Sequence, residues 1–129
     1  MTPEGPPRRI ADLNAARALF APLAREQAEV AAFAYLDPEW RLLGLRHTHG
    51  RGDMIEVPVR AIAADALAFD AAAVLMAHNH PSGDARPSAA DRQMTRRLAR
   101  LFDALGINLL DHLVLAGEMV VSFRALGLL

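Results

Sequence analysis

Apolar and polar residues alternate with two different periods along this chain, and the changes of period mark its elements. Leu13, Ala16, Leu19, Phe20 and Leu23 recur at helical spacing behind Asp12, which predicts a first helix over 12–23 with Pro22 as a late kink or stop. From Val30 to Leu36 the letters VAAFAYL run apolar without a break. Asp37 and Pro38 supply turn chemistry before WRLLGLRHT resumes, so a β-hairpin is expected. GRGD interrupts it, MIEVPV reads as a short extended piece, and Arg60 to Phe69 reads as an alanine-rich helix ending near Asp70. AAAVLMA follows as a continuous apolar run, the pattern of a strand covered on both faces.

A polar stretch, AHNHPSGDARPSAAD from Ala77 to Asp91, separates that run from the next helical pattern. Met94, Leu98, Leu101, Phe102 and Leu105 share one helical face, with Gly106 well placed as the C-cap. INLLDHLVLAG and MVVSF then predict a strand pair around a tight Gly117-Glu118 turn. Helices and strands alternate without internal repeat, so the expected fold class is α/β: a single domain with a mixed β-sheet flanked by helices. Pro3, Gly5, Pro6 and Pro7 predict a loose N-terminal arm over residues 1–10, leaving 11–129 as the domain.

Composition narrows the chemistry. At 129 residues the chain is long enough for one real core. Fourteen Lys plus Arg against fifteen Asp plus Glu leave a net charge of -1, so no global field draws it to nucleic acid or to an acidic membrane. Such a partner would need a local patch. The absence of cysteine removes disulfides, thiolate nucleophiles and Cys-ligated zinc together, so a metal must sit on His, Asp or Glu. No apolar run reaches the ~18 residues of a membrane span, and MTPEGPPRRI lacks the apolar centre of a signal peptide, so the cytoplasm is the expected location.

Within the polar stretch, His78 and His80 stand at i and i+2 at a strand end and therefore project to the same face. Asn79, between them, should point the other way or into the turn that Pro81, Ser82 and Gly83 provide. Imidazole suits zinc, and a catalytic zinc takes three protein ligands while leaving a position for water. Asp91, one turn into the helix that begins near Ser88, is the candidate third ligand. The same letters also read as plain capping, since Ser88-x-x-Asp91 is an N-cap with an acidic residue at N3, where the helix dipole favours negative charge.

Taken together, HxHPSG, then PS, then xxD, with LMAHNHPSG before and LGINLLDHLVLAG after, resembles the signature of the JAMM (MPN+) zinc metalloproteases, in their RadC-like branch. The resemblance covers most of residues 29 to 124. It implies the JAB/MPN, cytidine deaminase-like fold and a zinc ion (Zn2+) held by His78, His80 and Asp91, with water as the fourth ligand. It also implies an upstream glutamate, seven positions before Leu36, which is Glu29 here. That residue is expected to hold the zinc water, accept its proton and pass it to the leaving amine. By its own chemistry Glu29, close to Glu26, reads as a solvated helix end. Ser88 matches the family's serine, whose hydroxyl stabilises the oxyanion as a carbonyl becomes tetrahedral, and it can cap the helix at the same time.

The function implied is a zinc-dependent metallopeptidase or isopeptidase acting on a peptide, isopeptide or other amide carbonyl. The alternative is a non-catalytic, metal-stabilised interaction module in DNA metabolism or anti-restriction. RadC-like proteins commonly carry a helix-hairpin-helix type segment ahead of this domain, and only 28 residues precede Glu29 here, which weakens the DNA expectation. Zinc deaminase chemistry needs cysteines and is excluded. Exposed sheet edges leave room for a homodimer.

Other residues invite weaker readings. His47 and His49 form a second HxH, which Asp53 would complete as a crude metal set, but an exposed loop is the plainer reading. A substrate contact at the rim stays open. His112, alone in an apolar strand, reads as a hydrogen-bonded structural residue. Arg92, Arg96, Arg97 and Arg100 offer either a phosphate-binding stripe or a solvated helix face, and Trp40 reads as packing.

Overall fold

The run VAAFAYL is buried at every position because strand β1 (Val30–Leu36) lies inside a sheet covered on both faces. The computed structural model describes residues 8–50 and 57–129. It shows one domain of α/β class, a five-stranded mixed sheet with three helices, consistent with the JAB/MPN layout. Strand order is β2-β1-β3-β4-β5, with β2 at Leu42–His49, β3 at Ala73–Asn79, β4 at Asn108–Ala116 and β5 at Met119–Ser122. β1 runs antiparallel to both β2 and β3, β3 is parallel to β4, and β5 returns antiparallel to β4. The expected hairpin and the expected final strand pair are both present.

Helix α1 (Leu13–Phe20) and the 3-10 turn Ala21–Arg25 cover one face, setting Phe20 and Leu23 against Ala32, Ala34, Leu75 and Leu113. Helices α2 (Val59–Ala68) and α3 (Ala89–Ala104) cover the other, where Ile62, Ala66, Leu98 and Phe102 pack with Phe33, Tyr35 and Met76. α3 is the crossover that the parallel pair β3 and β4 requires. α2 is tied to the outer strand by charge, since Arg46 of β2 grips the Asp65 carboxylate through two nitrogens, and the Tyr35 hydroxyl donates to the same carboxylate at 2.9 Å.

Differences from the sequence expectations are local. The first helix ends at Phe20 rather than near Leu23, and the chain tightens into a 3-10 turn around Pro22, which has no N–H to continue the α ladder. Of the arm expected over 1–10, residues 1–7 lie outside the described residues, while residues 8–10 are held. The Ile10 N–H donates to Trp40 O at 2.8 Å, the Leu42 N–H donates to Arg8 O at 2.7 Å, and Ile10 is buried. The GRGD break, apart from Gly50, and the first half of MIEVPV lie outside the described residues, and Val59 already belongs to α2.

Candidate metal centre

The end of β3, the turn after it and the start of α3 bring three side chains to one point. His78 is wholly buried in the last turn of the sheet ladder, across from Ala31 on one side and Val114 on the other. His80 follows the strand, anchored by its N–H donating to Leu115 O at 2.8 Å, and the Gly83 N–H closes the turn onto His80 O. α3 then begins at Ser88 with a complete capping box, Asp91 N–H donating to Ser88 Oγ and Ser88 N–H donating to Asp91 Oδ2. The result is His78 Nε2 and His80 Nε2 2.8 Å apart, with Asp91 Oδ2 3.4 Å from the first and 3.1 Å from the second. Among the described residues this is the one set of three such side chains able to hold a metal ion.

Both imidazoles have their rear nitrogen occupied. His80 Nδ1 lies 2.6 Å from the Asp84 carbonyl, and His78 Nδ1 lies 2.6 Å from His112 Nε2. Each therefore turns Nε2 forward, toward the Asp91 carboxylate. Burial pushes the Asp91 carboxyl up, but the His78 imidazole and the bonds with Ser88 outweigh it and hold the group well below the usual carboxylate range. Asp91 is thus held in its ionised form. His112, by contrast, is pushed well down by burial and then by the neighbouring His78, so it is neutral.

A cleft of about 390 Å³ opens over the centre, lined by Ala28, Glu29, His80, Ser82, Ser88 and Asp91. Glu29 stands at its wall, half-buried, in the segment just before β1, with its backbone carbonyl accepting from the Gly50 N–H at 2.9 Å. Ser88 caps α3 as an acceptor, which leaves its hydroxyl hydrogen able to donate into the cleft. Four of the five residues singled out from the sequence, Glu29, His80, Ser88 and Asp91, therefore border one space, with His78 buried behind it, although they come from two segments nearly fifty residues apart.

Two residues that matter here were not identified from the sequence. Asn79 does point away from the histidines, and it clamps the segment carrying Glu29: its Oδ1 accepts from Val30 N–H at 2.7 Å, and its Nδ2 donates to Glu26 O at 3.1 Å and Ala28 O at 3.0 Å. Thr95, buried in α3, bonds both the Asp91 carbonyl and His112. Period-two alternation gives the direction of Asn79, but nothing local announces its partners.

The other sequence candidates stay apart. His47 and His49 are exposed on β2, opposite Ala32 and Val30, and Asp53 lies outside the described residues. Arg92, Arg96, Arg97 and Arg100 are exposed on α3. Trp40 is partly exposed in the β1–β2 turn with a positive φ of 64°. No helix among the described residues is long and apolar enough to cross a membrane.

Comparison with known proteins finds one family and several relatives. The family model of the RadC-like JAB domain matches residues 10–128. A UPF0758 protein of Cupriavidus pinatubonensis is 44% identical over 113 residues, covering 86% of this chain and 48% of its own length. A UPF0758 protein of Vibrio cholerae is 42% identical over 106 residues, covering 81% and 66%. The UPF0758 protein YkfG of Escherichia coli is 40% identical over 110 residues, covering 84% and 68%. The chain thus spans about half the length of some of these relatives and about two thirds of others.

Proposed function

The chain belongs to the RadC-like JAB domain family, and from that premise we propose that it is a zinc-dependent hydrolase of the JAMM type, acting on a peptide, isopeptide or other amide carbonyl. The observation that carries this reading is the donor set. Three atoms able to ligate a metal, His78 Nε2, His80 Nε2 and Asp91 Oδ2, converge within 3.4 Å of one another, which is the arrangement a cation satisfies. Ligands about 2.1 Å from zinc at tetrahedral angles stand roughly 3.4 Å apart, and the pairs here stand 2.8, 3.1 and 3.4 Å apart. Two imidazoles and one carboxylate are three protein ligands, the number that a catalytic rather than a structural zinc site would use.

Bound there, zinc supplies Lewis acidity, lowering the pKa of a water and polarising a carbonyl. The chain's own residues supply the rest. Glu29, in the cleft wall, takes a proton from the attacking water and returns it to the leaving amine, since amide nitrogen leaves only when protonated. The Ser88 hydroxyl, oriented by its cap with Asp91, donates to the substrate oxygen as negative charge develops on it. Asn79 holds the Glu29 segment against the end of β3.

Metal analysis of the purified protein tests the reading. One zinc per chain is expected, lost in His78→Ala, while Glu29→Gln keeps the metal and loses amide hydrolysis. A parent protein without stoichiometric metal overturns the assignment, and hydrolysis retained in Glu29→Gln removes that residue from the mechanism.

A further inference from the structure

Behind the centre, four polar groups are joined by three bonds whose direction can be worked out one hydrogen at a time. The Thr95 hydroxyl lies 2.7 Å from the Asp91 carbonyl, which can only accept, so its single hydrogen goes there. Toward His112 Nδ1, also 2.7 Å away, Thr95 Oγ1 can therefore only accept, and that nitrogen must carry a hydrogen. His112 is wholly buried and stacked on Phe123, with ring centroids 4.4 Å apart, and a second hydrogen would place an imidazolium in that apolar wall. Its Nε2 is therefore bare and accepts from His78 Nδ1 at 2.6 Å. With its hydrogen on Nδ1, His78 offers a lone pair at Nε2.

We infer that His112 and Thr95 are positioning residues for the centre: a buried relay of donors, from His78 through His112 and Thr95 to the Asp91 backbone, sets His78 as an Nε2 ligand. The relay starts and ends on members of the centre, so it fixes the tautomer of one ligand and the helix turn that carries another. The reverse direction would be disabling. If His112 donated from Nε2, His78 would have to carry its hydrogen on Nε2, aimed where the lone pair is needed, and the Thr95 hydroxyl would face two acceptors with one hydrogen. Partners of this kind, one shell behind the ligands, typically change metal affinity by about 10–100-fold when removed.

The inference deepens the metal reading and rests on it for its purpose, but its geometry can be read separately. Ring nitrogen shifts of the full chain, labelled with 15N and measured with and without zinc, report which nitrogen carries each hydrogen. The expected result is a hydrogen on Nδ1 of both His78 and His112 and a bare Nε2 on His112. A hydrogen on His112 Nε2 overturns the relay, whatever the protein binds. Thr95→Val, which keeps the shape and removes the hydroxyl, should mix the His112 tautomers and weaken zinc in competition with a chelator by about 10-fold or more, while Thr95→Ser should restore both. Unchanged ring shifts and unchanged affinity in Thr95→Val also overturn it. Should the parent show the expected tautomers yet bind no zinc, the relay stands and the metal reading fails.

Discussion

Ser88 and Asp91 hold each other twice, Asp91 N–H donating to Ser88 Oγ at 3.0 Å and Ser88 N–H donating to Asp91 Oδ2 at 2.9 Å. The same Oδ2 faces His80 Nε2 at 3.1 Å. Capping and ligation therefore do not compete for this carboxylate, because the cap is what aims it. Ser88→Ala should lower stability by about 1 kcal/mol, the usual cost of a lost N-cap, and keep stoichiometric zinc. Asp91→Asn should lose the metal, because it removes the one ligand charge that partly offsets that of the ion. Calorimetry with metal analysis of both variants checks the pair, and an Asp91→Asn protein that stays fully loaded would show that the carboxylate is only a cap.

Much of this was legible in the sequence, for physical reasons that differ from element to element. β1 and β3 stood out because burial on both faces demands an unbroken apolar run. His78 and His80 could be paired because strand side chains repeat every two residues. Glu29 was different. Its letters carry no mark of acidity turned to use, and only the likeness to a family pointed to it. Thr95 and His112 could not be connected at all, being 17 residues apart and brought together by the packing of α3 on β4. The partners of Asn79, Glu26 and Ala28, stand 53 and 51 positions away, so only the folded sheet reveals them.

The Arg46–Asp65 pair gives a pH dependence with a definite sign. The Arg46 guanidinium holds the Asp65 carboxyl below its ordinary value, and the Tyr35 hydroxyl adds to this, against the opposing effect of burial. A carboxyl depressed in the folded state contributes stability that is complete above its unfolded pKa of about 3.9 and is lost as pH falls through the folded value. The parent should therefore exceed Asp65→Asn in urea stability at neutral pH, and the two curves should converge as the pH drops below 3.9. Denaturation series across that range measure it. A gap that persists or widens in acid would mean that the ionic form of Asp65 is not what ties α2 to β2.

Asn79 makes the sharpest separation between holding metal and using it. Its backbone ends the strand between the two histidines, but its side chain lies on the other face, fastened to Val30, Ala28 and Glu26. Asn79→Ala leaves a buried Val30 N–H and two carbonyls without this partner, which should cost roughly 1–3 kcal/mol in stability. It does not touch a ligand atom, so zinc stoichiometry should match the parent. The segment carrying Glu29 would no longer be fixed against β3, and displacement of a reacting group by about 1 Å can lower turnover by roughly 100-fold. The expected signature is full metal content, a lower melting temperature, faster exchange of the Val30 amide, and a fall in kcat with little change in KM. Glu29→Gln should share the loss of turnover without the loss of stability. If Asn79→Ala turned over amides at the parent rate while its Val30 amide exchanged freely, the clamp would belong to folding alone, and the placement of Glu29 would have to come from its own contacts in the cleft.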